Sequence, residues 1–77
     1  MVLNKLCIQE DAYNFAYNRV SINGKVFQLS LNSNNECTYE FGGSFYSNRD
    51  GFLYVVVITI NWEGSWSVLD TKIFKAS

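Results

Sequence analysis

Four polar turn signals divide a chain that contains no proline, and their spacing is the strongest constraint on its fold. "NG" at 23–24, "NSNN" at 32–35, "NRDG" at 48–51 and "EGS" at 63–65 recur at nearly even intervals. Asn-Gly accepts the positive φ angles of a tight hairpin turn. "NRDG" suits a four-residue turn closed by glycine. Short segments punctuated in this way predict an antiparallel β meander.

The segments between the signals alternate with period two. A two-residue loop at Asn23-Gly24 pairs Val20 with Phe27 and places Val20, Ile22, Phe27, Leu29 and Leu31 on one face. In the next segment Cys37, Tyr39, Phe41, Gly43 and Phe45 face one way, and Glu36, Thr38, Glu40, Gly42 and Ser44 the other. Gly42-Gly43 predicts a bulge or bend. Residues 52–62 carry Phe52, Tyr54, Val56, Ile58, Ile60 and Trp62 on one side. Leu53, Val55 and Val57 are on the other, so the first half of this strand is apolar on both sides and predicts cover on both. A final strand runs from Trp66 to Phe74, with Lys72 and Lys75 near its end. In "WEGSW", a three-residue loop sets Trp62 opposite Trp66 and Ile60 opposite Val68, and keeps the apolar faces in step. This predicts a cross-strand tryptophan clamp.

"EDAYNFAYNR" admits two readings. As a strand, Tyr13, Phe15 and Tyr17 alternate with Ala12, Asn14 and Ala16; as a helix capped near Asp11, Ala12, Phe15 and Ala16 share a face. The strand is favoured because it runs on into the Asn-Gly hairpin. The expected fold is therefore all-β: one domain over residues 1–77, an antiparallel meander of five to six strands that curls towards a barrel. The alternative is α+β, one N-terminal helix packed on a four- to five-stranded antiparallel sheet.

Several chemistries are disfavoured. The chain has no histidine, which removes the commonest general base and the commonest metal ligand. Cys7 and Cys37 do not form a CxxC pair and are expected as free, buried thiols in a chain with no evident secretory leader. Glu36 and Glu40 share a strand face but stand roughly 13 Å apart when extended, too far for a glycosidase pair. No glycine pattern matches a phosphate-binding loop. We therefore expect a non-enzymatic protein with no metal and no cofactor.

Net charge is −1, and the six basic residues form no stripe, so nucleic acid is not an expected partner. The most apolar run, residues 52–60, is too short to span a bilayer as a helix, and no membrane association is expected. The expected location is cytoplasmic. Charged residues make up only 17% of the chain and aromatics as much again, a balance that favours association through aromatic surface. The expected function is protein interaction: a small inhibitor that occludes a surface of another protein, of viral or mobile-element origin and directed at a host defence system in the manner of an anti-CRISPR. Tyr46, Arg49, Trp62 and Trp66 are the expected contact residues. The alternatives are a carbohydrate or single-stranded nucleic-acid module, whose aromatics stack on sugars or bases, and a homo-oligomeric structural subunit.

Overall fold

The computed structural model describes residues 7–76. One helix, α1 (Gln9–Ser21), precedes four strands, β1 (Gly24–Asn35), β2 (Thr38–Ser47), β3 (Leu53–Trp62) and β4 (Trp66–Lys75). The strands form an open antiparallel sheet in sequence order. The α+β alternative is thus the architecture, and the all-β meander is correct only for residues 24–75.

Residues 9–21 are helical because the sheet has an apolar face to cover. Ala12, Ala16 and Val20, spaced by four, form a narrow buried stripe that brings the helix close to the strands. As a strand the same segment would leave the sheet's inner face exposed to water. Ile8 occupies the N-cap without a side-chain bond, so the cap is not Asp11. Glu10 and Asp11 in the first turn and Arg19 in the last complement the helix dipole.

Asn23-Gly24 is consequently not a hairpin. It is the exit from α1: Asn23 N–H donates to the Val20 carbonyl, and Asn48 N–H donates to the Asn23 carbonyl. Gly24 is required by proximity, since a Cβ there would lie 2.0 Å from the Tyr46 carbonyl oxygen. "NSNN" also continues as strand, and the chain reverses at Glu36-Cys37, where Glu36 takes a left-handed φ of 56°.

The expected faces of β2 and β3 are observed. Tyr39, Phe41, Gly43 and Phe45 pair with Ile60, Ile58, Val56 and Tyr54 on the helix side. Tyr39, Phe41, Phe45, Val56, Ile58 and Ile60 are all buried there with the helix stripe. Phe41 is at the centre: its ring lies parallel to Tyr39 and meets Tyr13 of the helix edge-on. The bulges fall on the outer strands. β1 has two irregularities against β2, and β4 has one against β3, whereas β2 and β3 pair without interruption. The first bulge moves Phe27 off the core face and leaves Val26 on it, opposite Phe45.

Cys7 and Cys37 form a disulfide, which corrects the expectation of free thiols. It ties the residue before the N-cap of α1 to the β1–β2 turn. The fold brings together two positions 30 residues apart, a proximity that no local spacing encodes. The buried Tyr39 hydroxyl donates to the Cys7 carbonyl and fixes the same junction.

Candidate protein-docking face

The helix covers one face of the sheet, and among the described residues nothing covers the other. On the outer face, cross-strand partners share a side, so Tyr46 and Leu53, Ser44 and Val55, and Gly42 and Val57 lie in successive rows. β4 adds Phe74 beside Val55 and Lys72 beside Val57. Phe27 stands edge-on to Tyr46, with ring centroids 6.3 Å apart. Phe27 is 69% exposed, Phe74 53% and Tyr46 47%, although all three are large and apolar in body. Further along the same face the rows turn polar: Glu40 and Thr59 with Asp70, then Thr38 and Asn61 with Ser67. Thr38 Oγ1 donates to Asn61 Oδ1 at 2.7 Å, and Asn32 Nδ2 donates to Glu40 Oε2 at 3.3 Å. The outer face is therefore apolar at one end and hydrogen-bonded at the other.

The four expected contact residues are not brought together. Tyr46 lies in the apolar end of the outer face. Arg49 is exposed in the β2–β3 turn at the same end, its backbone N–H donating to Ser47 Oγ. Trp62 and Trp66 lie at the opposite end and on the helix side. They pair across the hairpin as expected, with centroids 5.1 Å apart and planes at 62°. Trp66 also stacks on Phe15 of the helix and meets Tyr39 edge-on. Both tryptophans are only half-buried, but they are positioned as a clamp between sheet and helix. Gly64 takes a φ of 90° in the connecting loop, a conformation that glycine adopts without a Cβ penalty.

Arg49 borders a second feature. The 13-residue helix is roughly 20 Å long, whereas ten-residue strands extend about 33 Å. The helix thus stops short of the end of the sheet. A cleft of about 280 Å³ opens there, floored by Phe45, Tyr54 and Ile73 and rimmed by Asn23, Ser47, Asn48 and Arg49. Lys25 and Lys75 belong to the same end of the sheet, and Glu36 and Glu63 to the turns at the other. Lys25, Arg49 and Lys75 share this end of the sheet but come from β1, the β2–β3 turn and β4, with Asp50 beside Arg49 and Lys75. Lys5 lies outside the described residues.

The β2–β3 turn holds a tyrosine–aspartate pair whose titrations are coupled by a hydrogen bond. Asp50 accepts from Tyr54 Oη at 2.7 Å and from Phe52 N–H at 3.0 Å. The Tyr54 bond first, and the Phe52 bond second, hold the Asp50 carboxyl below its ordinary range. The same bond to Asp50, aided by desolvation, raises the Tyr54 phenol above the ordinary tyrosine value. The signs are opposite. Asp50 contributes its share of stability above the ordinary carboxylate pKa and loses it as pH falls through its depressed value. Tyr54 contributes below pH about 10 and loses it as pH rises through its elevated value. Asp50→Asn is expected to bring the Tyr54 titration back towards that of a free tyrosine. Carbon-detected NMR of the phenol ring checks this, and an unmoved titration would reject the pair.

No helix among the described residues is long and apolar enough to cross a membrane. Comparison with protein-family models, with curated proteins and with solved structures finds no match.

Proposed function

We propose that this chain is a non-enzymatic interaction domain that docks on another protein through the outer face of its sheet and occludes the surface it covers. The carrying observation is the patch of Phe27, Tyr46, Leu53, Val55, Val57 and Phe74 on a face over which the described residues place no second layer. Exposed contiguous apolar surface of this kind marks interaction sites in folded domains. Lateral strand addition is the less favoured mode, because both edge strands are bulged and bulges spoil an edge as a template.

An inhibitory role against a host protein, with a viral or mobile-element source, remains part of this proposal as the simplest use of an occluding face. The disulfide bears on where such a target resides. Structural disulfides persist in oxidising compartments and are rare in the cytosol. We therefore place the working chain in an oxidising compartment in preference to the cytoplasm, which weighs against an intracellular target such as a CRISPR effector. The carbohydrate and nucleic-acid alternatives draw less support. The tryptophans that would stack on a sugar are packed between helix and sheet, and the cations Lys25, Arg49 and Lys75 share an end and not a groove.

Affinity capture from cells that express the chain, read by mass spectrometry, tests the reading. Tyr46→Ser combined with Phe74→Ser is expected to weaken retention of the captured protein by at least about tenfold, as for loss of aromatic anchors. The unfolding midpoint should stay within the range of surface substitutions. Loss of capture only on substitution of Trp62 or Trp66 would move the docking surface to the hairpin. Quenching of tryptophan fluorescence by an oligosaccharide or oligonucleotide, with no protein retained, would replace the reading with a ligand-binding module.

A further inference from the structure

We infer that in the free protein the outer face is covered by a second copy of this chain, which a target protein displaces on docking; the copies stack sheet to sheet about a two-fold axis parallel to the strands and lying between β2 and β3. The inference rests on the outer face being a docking surface and names its occupant.

Three observations carry it. First, Leu53, Val55 and Val57 make β3 apolar on the side away from the helix, a pattern that belongs to strands covered on both faces. One protomer supplies a cover for only one of them. Second, the face has complementary relief. β3 presents a ridge of Leu53, Val55 and Val57, and β2 beside it presents Ser44 and Gly42 in the matching rows. A two-fold between these strands exchanges them and sets Val55 of each copy over Ser44 of the other, with Leu53 against Tyr46. The Asn32 amide lies over Gly42, where a Cβ would meet its Nδ2 at 2.6 Å, and it closes the polar end of the trough at Ser44 and Gly42 against Val57. Such a contact is isologous, as a closed dimer requires. It falls in the aligned class of sheet packing, about 10 Å between layers.

Third, the charges match. The axis exchanges β1 with β4, so Lys72, in the row of Val57 and Gly42, comes over Ser30 of the other copy. Glu40 is then one strand aside and two residues along, roughly 5 Å and 7 Å away, within the reach of a lysine and a glutamate. The two Glu40 carboxylates flank the axis, and each has the other copy's Lys72 to offset it. Within one protomer these residues lie on β2 and β4 with β3 between them. The same operation brings Phe74 over the row of Gln28, beside the bulged Phe27 of the other copy, so the two most exposed aromatics of the face come next to each other.

Sedimentation velocity of the full oxidised chain, from low-micromolar to near-millimolar concentration, tests the assembly with a charge swap. The wild type is expected to sediment as a dimer at the upper end. Glu40→Lys alone and Lys72→Glu alone are each expected to raise the dimer dissociation constant roughly tenfold or more, because each replaces two ion pairs with like-charge contacts. The double variant E40K/K72E should return most of the loss, which a merely structural role would not produce. Both positions are exposed or half-buried and surface-facing, so the variants should fold; circular dichroism verifies it. A monomer at every concentration overturns the inference, and so does a dimer insensitive to either single substitution or not rescued by the double. If the chain is monomeric and Tyr46→Ser with Phe74→Ser still abolishes capture of a different protein, the inference fails and the docking reading stands. If the wild type is monomeric and that pair also leaves capture intact, both fail.

Discussion

Replacing Cys7 and Cys37 together with alanine is expected to lower the unfolding free energy by about 3–4 kcal/mol, the loop-entropy value for a closure of this span. At roughly 0.05–0.15 kcal/mol per residue, a chain of this length has about 4–12 kcal/mol in total. The bridge is therefore a third or more of its stability at the midpoint of that range. The bridge anchors the start of α1, and among the described residues the helix is the only layer over the inner face of the sheet. Loss of the bridge should expose that face first, so the variant should show increased binding of a hydrophobic dye before its strands melt. Urea titrations of the two proteins, with and without reductant, measure the difference. A change below about 1 kcal/mol would show that the bridge is not a constraint on the unfolded chain.

Phe41→Ala is expected to cost about 3–5 kcal/mol, the usual range for a fully buried phenylalanine. Phe41 is 1% exposed and its ring touches Tyr39 of the sheet and Tyr13 of the helix, so its loss removes contact between the two layers. The contrast with the opposite face is the sharper test. Phe74→Ser, on the outer face of β4, should cost no more than about 0.5 kcal/mol in the monomer, as for an ordinary surface substitution. Equal losses at the two positions, measured by chemical denaturation at a concentration below any association, would contradict the assignment of one covered and one open face.

The strands and their faces were legible where alternation is local and strict. β2, β3 and the Trp62–Trp66 hairpin follow from period two alone, because a one-residue slip would move every apolar side chain to the wrong side. The helix was less legible, because Tyr13, Phe15 and Tyr17 alternate as a strand would and the segment is poor in strong helix formers. The deciding force is tertiary: a sheet with one apolar face needs a cover, and Ala12, Ala16 and Val20 suit close approach. The Asn-Gly pair misled for the same reason, its turn being used to leave a helix instead of to reverse a strand. Strict alternation puts Phe27 on the core face, and the bulge that moves it off is invisible to that pattern. Tyr46 was recognised as exposed from its position on the polar side of β2. The rest of its neighbourhood depends on pairing across strands, as does the placing of Lys25, Arg49 and Lys75 at one end.

The bridge between Cys7 and Cys37 makes the segment from one cysteine to the other a covalent ring, with β2, β3 and β4 as its tail. A single peptide-bond cut inside the ring, whether in α1, at Asn23-Gly24 or in β1, yields one molecule heavier by a water and not two fragments. A cut in the tail releases a piece. Limited digestion read by intact mass before and after reduction would thus distinguish damage to the helix and first strand from damage to the rest of the sheet, and the ring makes the helix and β1 the part of this chain that survives nicking without dissociation.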